Sequence, residues 1–383
     1  MDKYFYFYDL NEILIDRYPA KISSFLSDNY NITKFVFIFS EKYDYNMPKK
    51  ILKGSKVFYM PNMSRKKVED LFIEYPPNSL TTIAQRIPDM LMLSIFNINK
   101  IPTFIVQHSL WSDHLQRIPL VTLIISKFRK FIHYLNYIKE ICQIQDLPIF
   151  KTIIELYKFL LVEKISIPST KYLSSKNLRA GKAFVYDKSW NDYYINKYGY
   201  KNNDLIYVGN PDFTILKEKD FSKKEDAVCY LCQTLIEDGR YLLSDFEEFL
   251  QVLIKTVVPE KRLYIKLHPR SRKDYYKVLK PYENVIITHE FPVCKYYIAH
   301  YTGMLATAKQ VSDNILIWKL KNHHMPEYFL QFGSVVTDNV DDISSFLKGH
   351  FKLNKVSVFN KMTEQELKDF DPIKKISKKL STF

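Results

Sequence analysis

Three short segments in the second half of the chain carry side chains with chemistry to offer. Glu237-Asp238-Gly239 sets two carboxylates before a glycine, His268-Pro269-Arg270 follows Lys266 by two positions, and Thr302-Gly303 precedes a run of small residues. A phosphate that departs from a sugar carbon gathers negative charge as the bond breaks. An imidazole such as His268 can donate a proton to that oxygen. Lys266 and Arg270 add positive charge nearby, with Pro269 stiffening the turn between them. Thr302, Gly303 and the first amides of a helix opening there would form an anion seat. Asp238, on a glycine-bearing loop with Glu237 beside it, could take the proton from an attacking hydroxyl. These parts suit a nucleotide-sugar donor and call for no metal and no separate cofactor. The sole D-x-D, Asp369 and Asp371, lies in a basic tail and reads as a helix-end feature. Taken singly, each segment is ordinary: an H-P dipeptide makes a turn, E-D-G a solvated turn, and Thr302 an N-cap.

What raises them above the ordinary is the order of elements around them. Apolar runs at 226–232, 262–267, 284–289, 295–300 and 314–320 read as strands. Between them, 244–258, 272–279 and 302–311 read as helices, the first with a capping box from Ser244 to Glu247. Alternating strands and helices give a Rossmann-like parallel sheet, whose ligands bind outside the carboxyl ends of the strands. The three segments fall at three such ends. The first half shows the same alternation more faintly, with strands at 34–40, 56–61 and 102–110 and a helix at 66–72. The expected fold is therefore α/β, with two Rossmann-like domains. Residues 1–205 would form the first, with a helical insertion at about 117–165. Residues 206–383 would form the nucleotide-sugar domain and end in the basic tail.

A chain of 383 residues with 46% hydrophobic and 26% charged content is long enough for two domains and too apolar for disorder. Its formal charge of +14, from 56 Lys and Arg against 42 Asp and Glu, favours polyanionic partners: nucleotides, nucleic acid or an anionic membrane. A non-enzymatic basic α/β binding module fits that charge, but the cations are dispersed and no nucleic-acid motif is present, so nucleic acid is not an expected partner. Neither G-x-G-x-x-G nor a P-loop occurs. Four cysteines are too few for a disulfide framework. Cys229 and Cys232 lie three apart on a strand, which turns them to opposite faces and argues for buried thiols over a metal pair. No secretory signal and no apolar run long enough to span a bilayer is evident, so the expected location is cytoplasmic. The insertion has Phe128, Phe131, Leu135 and Ile138 at helical spacing among Lys127, Arg129 and Lys130. The tail has Ile373, Ile376, Leu380 and Phe383 on one face. Each is either a packed helix or a surface for anionic lipid on the inner face of the plasma membrane.

"CQTLIEDG" (232–239), "IKLHP" (265–269) and "HYTGMLATA" (300–308) resemble the motifs of the bacterial GT-B sialyltransferases, especially the lipooligosaccharide sialyltransferases of glycosyltransferase family 52. The third is matched in part, with Thr302 and Thr307 where that family has serines. The resemblance covers about residues 205–320 and implies a GT-B fold, in which two Rossmann-like domains face each other across a cleft and the first, residues 1–205, is the acceptor-binding domain. It implies that Asp238 is the general base and that His268 contacts the phosphate of a CMP-activated donor, sialic acid or a related nonulosonate. It further implies a surface-glycan acceptor, lipid-linked in lipooligosaccharide or capsule, and a possible homodimer. The acceptor would then meet the first domain, where "QHSLWSDHLQR" (107–117) gathers His108, Trp111 and His114 and Trp111 could stack on a sugar. The same Q-H segment also resembles the CDP-glycerol or CDP-ribitol polymer transferases of teichoic-acid type, in which His108 or His114 would be the base.

Overall fold

The computed structural model describes residues 3–11, 15, 18–41, 52–108, 120–162, 178–237, 241–320, 327–350, 359 and 361–383. The chain forms two compact units. One takes in residues up to His108, 119–211 and 371–383; the other takes in 212–370.

The first unit is built on a sheet of seven strands: β1 (Tyr4–Asp9), β2 (Phe35–Phe39), β3 (Lys56–Tyr59), β4 (Pro77–Thr82), β5 (Thr103–Val106), β6 (Lys182–Val185) and β7 (Leu205–Tyr207). Their order is β3-β2-β1-β4-β5-β6-β7, and every pairing is parallel. A parallel sheet is covered on both faces, so its strands are apolar throughout. Phe5 and Phe7 pack against Phe35, and Phe7 stacks on Phe37, in a cluster to which helix α1 (Pro19–Tyr30) contributes Ile22 and Leu26. On the other face Tyr6 meets Phe72 of α2 (Arg65–Glu74) and Phe96 of α3 (Ile87–Ile98). The expected hairpin is present as α4 (Leu120–Ile144) and α5 (Ile149–Val162). The end of α4 packs into the unit: Tyr137, Ile138 and Ile141 are buried, and the Tyr137 hydroxyl donates to Pro61 O at 2.6 Å. Ile132, Leu135, Phe150 and Ile154 remain exposed, Phe150 by 84%.

Two boundaries differ from expectation. β7 pairs with β6, so 205–207 completes the first sheet and the division falls after Pro211 rather than after 205. The tail belongs to the first unit. Its helix, Pro372–Leu380, buries Ile376 and Leu380 completely in the cluster that holds Ile22 and Leu26 of α1. An apolar stripe of this strength needs a partner, and α1 supplies it. The tail's apolar face is thus unavailable to lipid, while Lys374, Lys375 and Lys378 stay exposed on the outside. Asp369 and Asp371 are helix-end residues as expected: Asp369 closes the helix Glu364–Asp369, and Asp371 accepts from Lys374 N at 2.9 Å.

The second unit has six parallel strands, β8 (Glu225–Leu231), β9 (Leu263–Lys266), β10 (Val285–Thr288), β11 (Cys294–Ala299), β12 (Asn314–Trp318) and β13 (Val335–Thr337), in the order β10-β9-β8-β11-β12-β13. Helix α6 (Leu243–Thr256) lays Phe246, Phe249, Leu250 and Leu253 on Val228, Tyr230, Ile265 and Ile298. It starts at Leu243 with Leu242 as N-cap and no side-chain cap. Ser244 and Glu247 therefore lie inside the helix and form no capping box. The stretch after His-Pro is a 3-10 helix, Lys273–Leu279; α7 (Met304–Val311) and α8 (Val340–Leu347) follow. Cys232 lies in the α6-side core and Cys229 does not. Both are free and buried. Burial pushes the Cys232 thiol up to about 12 and Cys229 well above its ordinary value. They are inert packing residues.

Candidate functional site

Register aligns the ends of the strands that precede the three sequence segments. Leu231, the last residue of β8, pairs with Lys266 on one side and with Ala299 on the other. The backbone beyond each strand therefore emerges side by side. This edge is also where the sheet reverses: β9 and β10 add outward on one side of β8, and β11 begins again on the other. Such reversals are where open α/β sheets bind ligands.

Side chains tie the three exits to one another. Gln233 Nε2 donates to Tyr301 O across the reversal. Arg270 Nη2 donates to Thr234 Oγ1 at 3.0 Å, and Glu237 accepts from Arg272 N at 2.8 Å. Asp238 and Gly239 lie outside the described residues. His268 sits in a turn closed by Ser271 N to His268 O at 2.9 Å, with Pro269 exposed at its crest. The His268 Nδ1 accepts from Arg270 N at 3.1 Å. An imidazole that accepts at Nδ1 is neutral and carries its proton on Nε2. That bond leaves Nε2 as the ring nitrogen that can donate to a ligand. Lys266 is partly withdrawn: its Nζ donates to Leu267 O at 2.8 Å, and burial lowers its pKa. Thr302 is buried, and its Oγ1 accepts from Met304 N at 3.3 Å, so it caps α7 with Gly303 at the N-cap position.

Gln233, Thr234, His289 and His300 were not singled out from the sequence. Gln233 and Thr234 follow β8 directly, and position alone could have flagged them. His289 follows β10, whose Thr288 pairs with Lys266; partial burial and the nearby Lys266 and Lys273 ammonium groups lower its pKa. His300 is fully buried, its Nδ1 2.9 Å from Trp318 O and its ring against Phe249. It fastens the end of β11 to β12.

The first sheet reverses between β1 and β4, and an ionic cluster spans that point. Asp9, at the end of β1, accepts at Oδ1 from Arg86 Nη2 and from Leu10 N at 2.7 Å. Asp89 takes Arg86 Nε at 2.7 Å and Nη2 at 3.1 Å. It also takes the Arg86 amide at 3.0 Å, which caps α3. Asp9 and Asp89 are 3% and 0% exposed; the Arg86 side chain is 31% exposed. Burial raises the Asp9 pKa against the pull of Arg86. Burial alone would lower Arg86, but Asp89 and Asp9 outweigh it and hold the guanidinium well above its usual value. Along the same edge Gln107 is buried and its Oε1 accepts from Tyr186 N at 2.9 Å. His108 is half-buried just beyond β5. Trp111 and His114 lie outside the described residues. Among the described residues no group of three His, Cys, Asp or Glu side chains could hold a metal ion, and no helix is long and apolar enough to cross a membrane.

No protein-family profile and no curated protein matches the chain. Solved structures do. The UDP-GlcNAc 2-epimerase of Methanocaldococcus jannaschii, in complex with UDP-GlcNAc and UDP, superposes with a TM-score of 0.54 at 13% identity over 100% of both chains. The UDP-GlcNAc 2-epimerase of Neisseria meningitidis bound to UDP-GlcNAc gives 0.53 at 12% identity, also over 100% of both. The glycotransferase of kitacinnamycin gives 0.53 at 8% identity over 100% of this chain and 98% of that one. Identities this low establish the fold: α/β, two Rossmann-like units, GT-B-like.

Proposed function

We propose that this protein is a glycosyltransferase that moves a nonulosonate, sialic acid or a related sugar, from a CMP-activated donor to a hydroxyl of a bacterial surface glycan. The observation that carries the reading is the cross-linked edge of the second sheet. There the segment 232–237, the H-P turn and the Thr302 cap leave adjacent parallel strands at the reversal, joined through Gln233, Thr234 and Glu237. Structures of similar fold were solved with UDP-GlcNAc or UDP, which supports a nucleotide-sugar as the ligand class.

In this reading the bond between the sugar carbon and the CMP oxygen breaks, and a bond from the acceptor oxygen forms. The Nε2 proton of His268 bonds the departing phosphate oxygen, and Arg270 adds charge beside it. Asp238 takes the proton of the acceptor hydroxyl. The Lys374, Lys375 and Lys378 face of the tail and the exposed Phe150 and Ile154 of α5 favour a location on anionic membrane, where a lipid-linked acceptor resides. A polyol-phosphate transferase using CDP-glycerol or CDP-ribitol is the second reading, favoured by His108 at the carboxyl end of β5. Saturation-transfer NMR with CMP, CDP, UDP and a short oligonucleotide separates these: CMP binding that disappears in His268→Ala supports the first. Mass analysis of products from a panel of CMP-sugars with lipid-linked glycan tests the transfer itself; no product with any CMP-sugar would sink it.

A further inference from the structure

The reversal of the first sheet has the properties of a second ligand site. Asp9 Oδ2 is buried with no hydrogen-bond partner among the described residues. A carboxylate oxygen enclosed this way costs about 1–3 kcal/mol unless a donor reaches it, and buried polar atoms left unsatisfied point to an absent ligand or water. Arg86 commits Nε and Nη2 to the two carboxylates. Its Nη1 has no partner among the described residues, and the side chain is 31% exposed. One enclosed acceptor atom and one part-exposed donor group thus lie beyond the carboxyl ends of the paired strands β1 and β4.

Charge narrows what fits. Two carboxylates around one guanidinium leave the cluster negative overall, which disfavours phosphate and other anions. The guanidinium already occupies the position between the carboxylates that a metal cation would take. A neutral group that donates and accepts through the same atom satisfies both sides, and a hydroxyl does that. We propose that the carboxyl edge of the first sheet, between β1 and β4, is a subsite for a polyhydroxyl ligand of the saccharide class, held by Asp9 and Arg86 and positioned by Asp89. This deepens the reading above, on which the first unit takes the acceptor glycan, and adds residues beyond His108, Trp111 and His114. Burial raises the Asp9 pKa even though its Oδ1 accepts from Arg86 and Leu10.

The experiment is saturation-transfer NMR on the full chain with a panel of methyl mono- and disaccharides, and separately with CMP and inorganic phosphate. Saccharides are expected to bind the wild type. The isosteric Asp9→Asn should weaken them by about tenfold, a loss of about 1.4 kcal/mol, and leave CMP affinity within about twofold. Saccharide affinity unchanged in Asp9→Asn, or no saccharide bound by the wild type, overturns the subsite. Should Asp9→Asn fail to fold, the Arg86 guanidinium resonances of the wild type decide: they shift with saccharide and not with phosphate if the subsite is real, and stay fixed with saccharide if it is not. Absence of CMP binding beside intact saccharide binding would defeat the donor reading and leave this one standing.

Discussion

Both sheets reverse once, and in both a side chain bridges the reversal, but by different physics. In the second unit the bridge is neutral: the Gln233 amide to the Tyr301 carbonyl, flanked by Arg270 to Thr234 and Arg272 to Glu237. In the first it is ionic and buried, with Arg86 between Asp9 and Asp89. Removing one partner of a neutral, part-exposed bond forfeits little. Removing one partner of a buried ion cluster strands the remaining charges. The second edge is therefore free to be tuned for chemistry, whereas the first is rigid and doubles as structure.

The largest effect should come from the chemical edge. Asp238→Ala is expected to lower turnover by about 10²–10⁴-fold, the usual worth of a general base, with CMP affinity nearly intact; steady-state kinetics beside a CMP titration would read both. Next, Arg86→Met leaves two buried carboxylates facing each other and should cost about 3–5 kcal/mol of stability, visible in urea unfolding. A cost below about 1 kcal/mol would make the two bridges equivalent and end the contrast. Thr234→Val keeps shape and removes the acceptor of Arg270; about 0.5–1.5 kcal/mol is expected. The subtlest test is pH. The folded-state pKa of Asp9 lies above its unfolded value. Its contribution to stability is thus fully present below the unfolded value, about 3.9, and is lost as pH rises through the folded one. Asp9→Asn should accordingly melt higher than the wild type near neutral pH, and the gap should close towards pH 4. A gap that widens on acidification would show that Arg86 wins over burial.

These two edges were unequally legible. Lys266, His268, Thr302 and the E-D-G loop stand out because each ends an apolar run with a turn or cap residue, and parallel pairing aligns the strand ends that precede them. β1 and β4 escaped notice. "YFYFYD" (4–9) shows no alternation of apolar and polar residues, and "PNSLTT" (77–82) is too polar to read as a buried strand. Without those strands, Asp9 and Arg86 are two ordinary charges 77 positions apart, and only the sheet order joins them. The amphipathic tail announced a buried face, but periodicity does not say what buries it, and α1 was the answer. Capping of α6 was misplaced because its start is set by Phe246 and Phe249 meeting the sheet, which overrides the local Ser244–Glu247 pattern.

The fastening of Ile376 and Leu380 beneath α1 bears on how the protein is born. A ribosome releases α1 early and residues 372–380 more than three hundred codons later. Through that interval the hydrophobic slot on α1 waits uncovered, while everything between 212 and 370 has emerged and is free to fold. Assembly of the first unit is therefore completed only after residues 212–370 have emerged, and a nascent chain stalled before residue 372 would expose a greasy furrow that chaperones can grip.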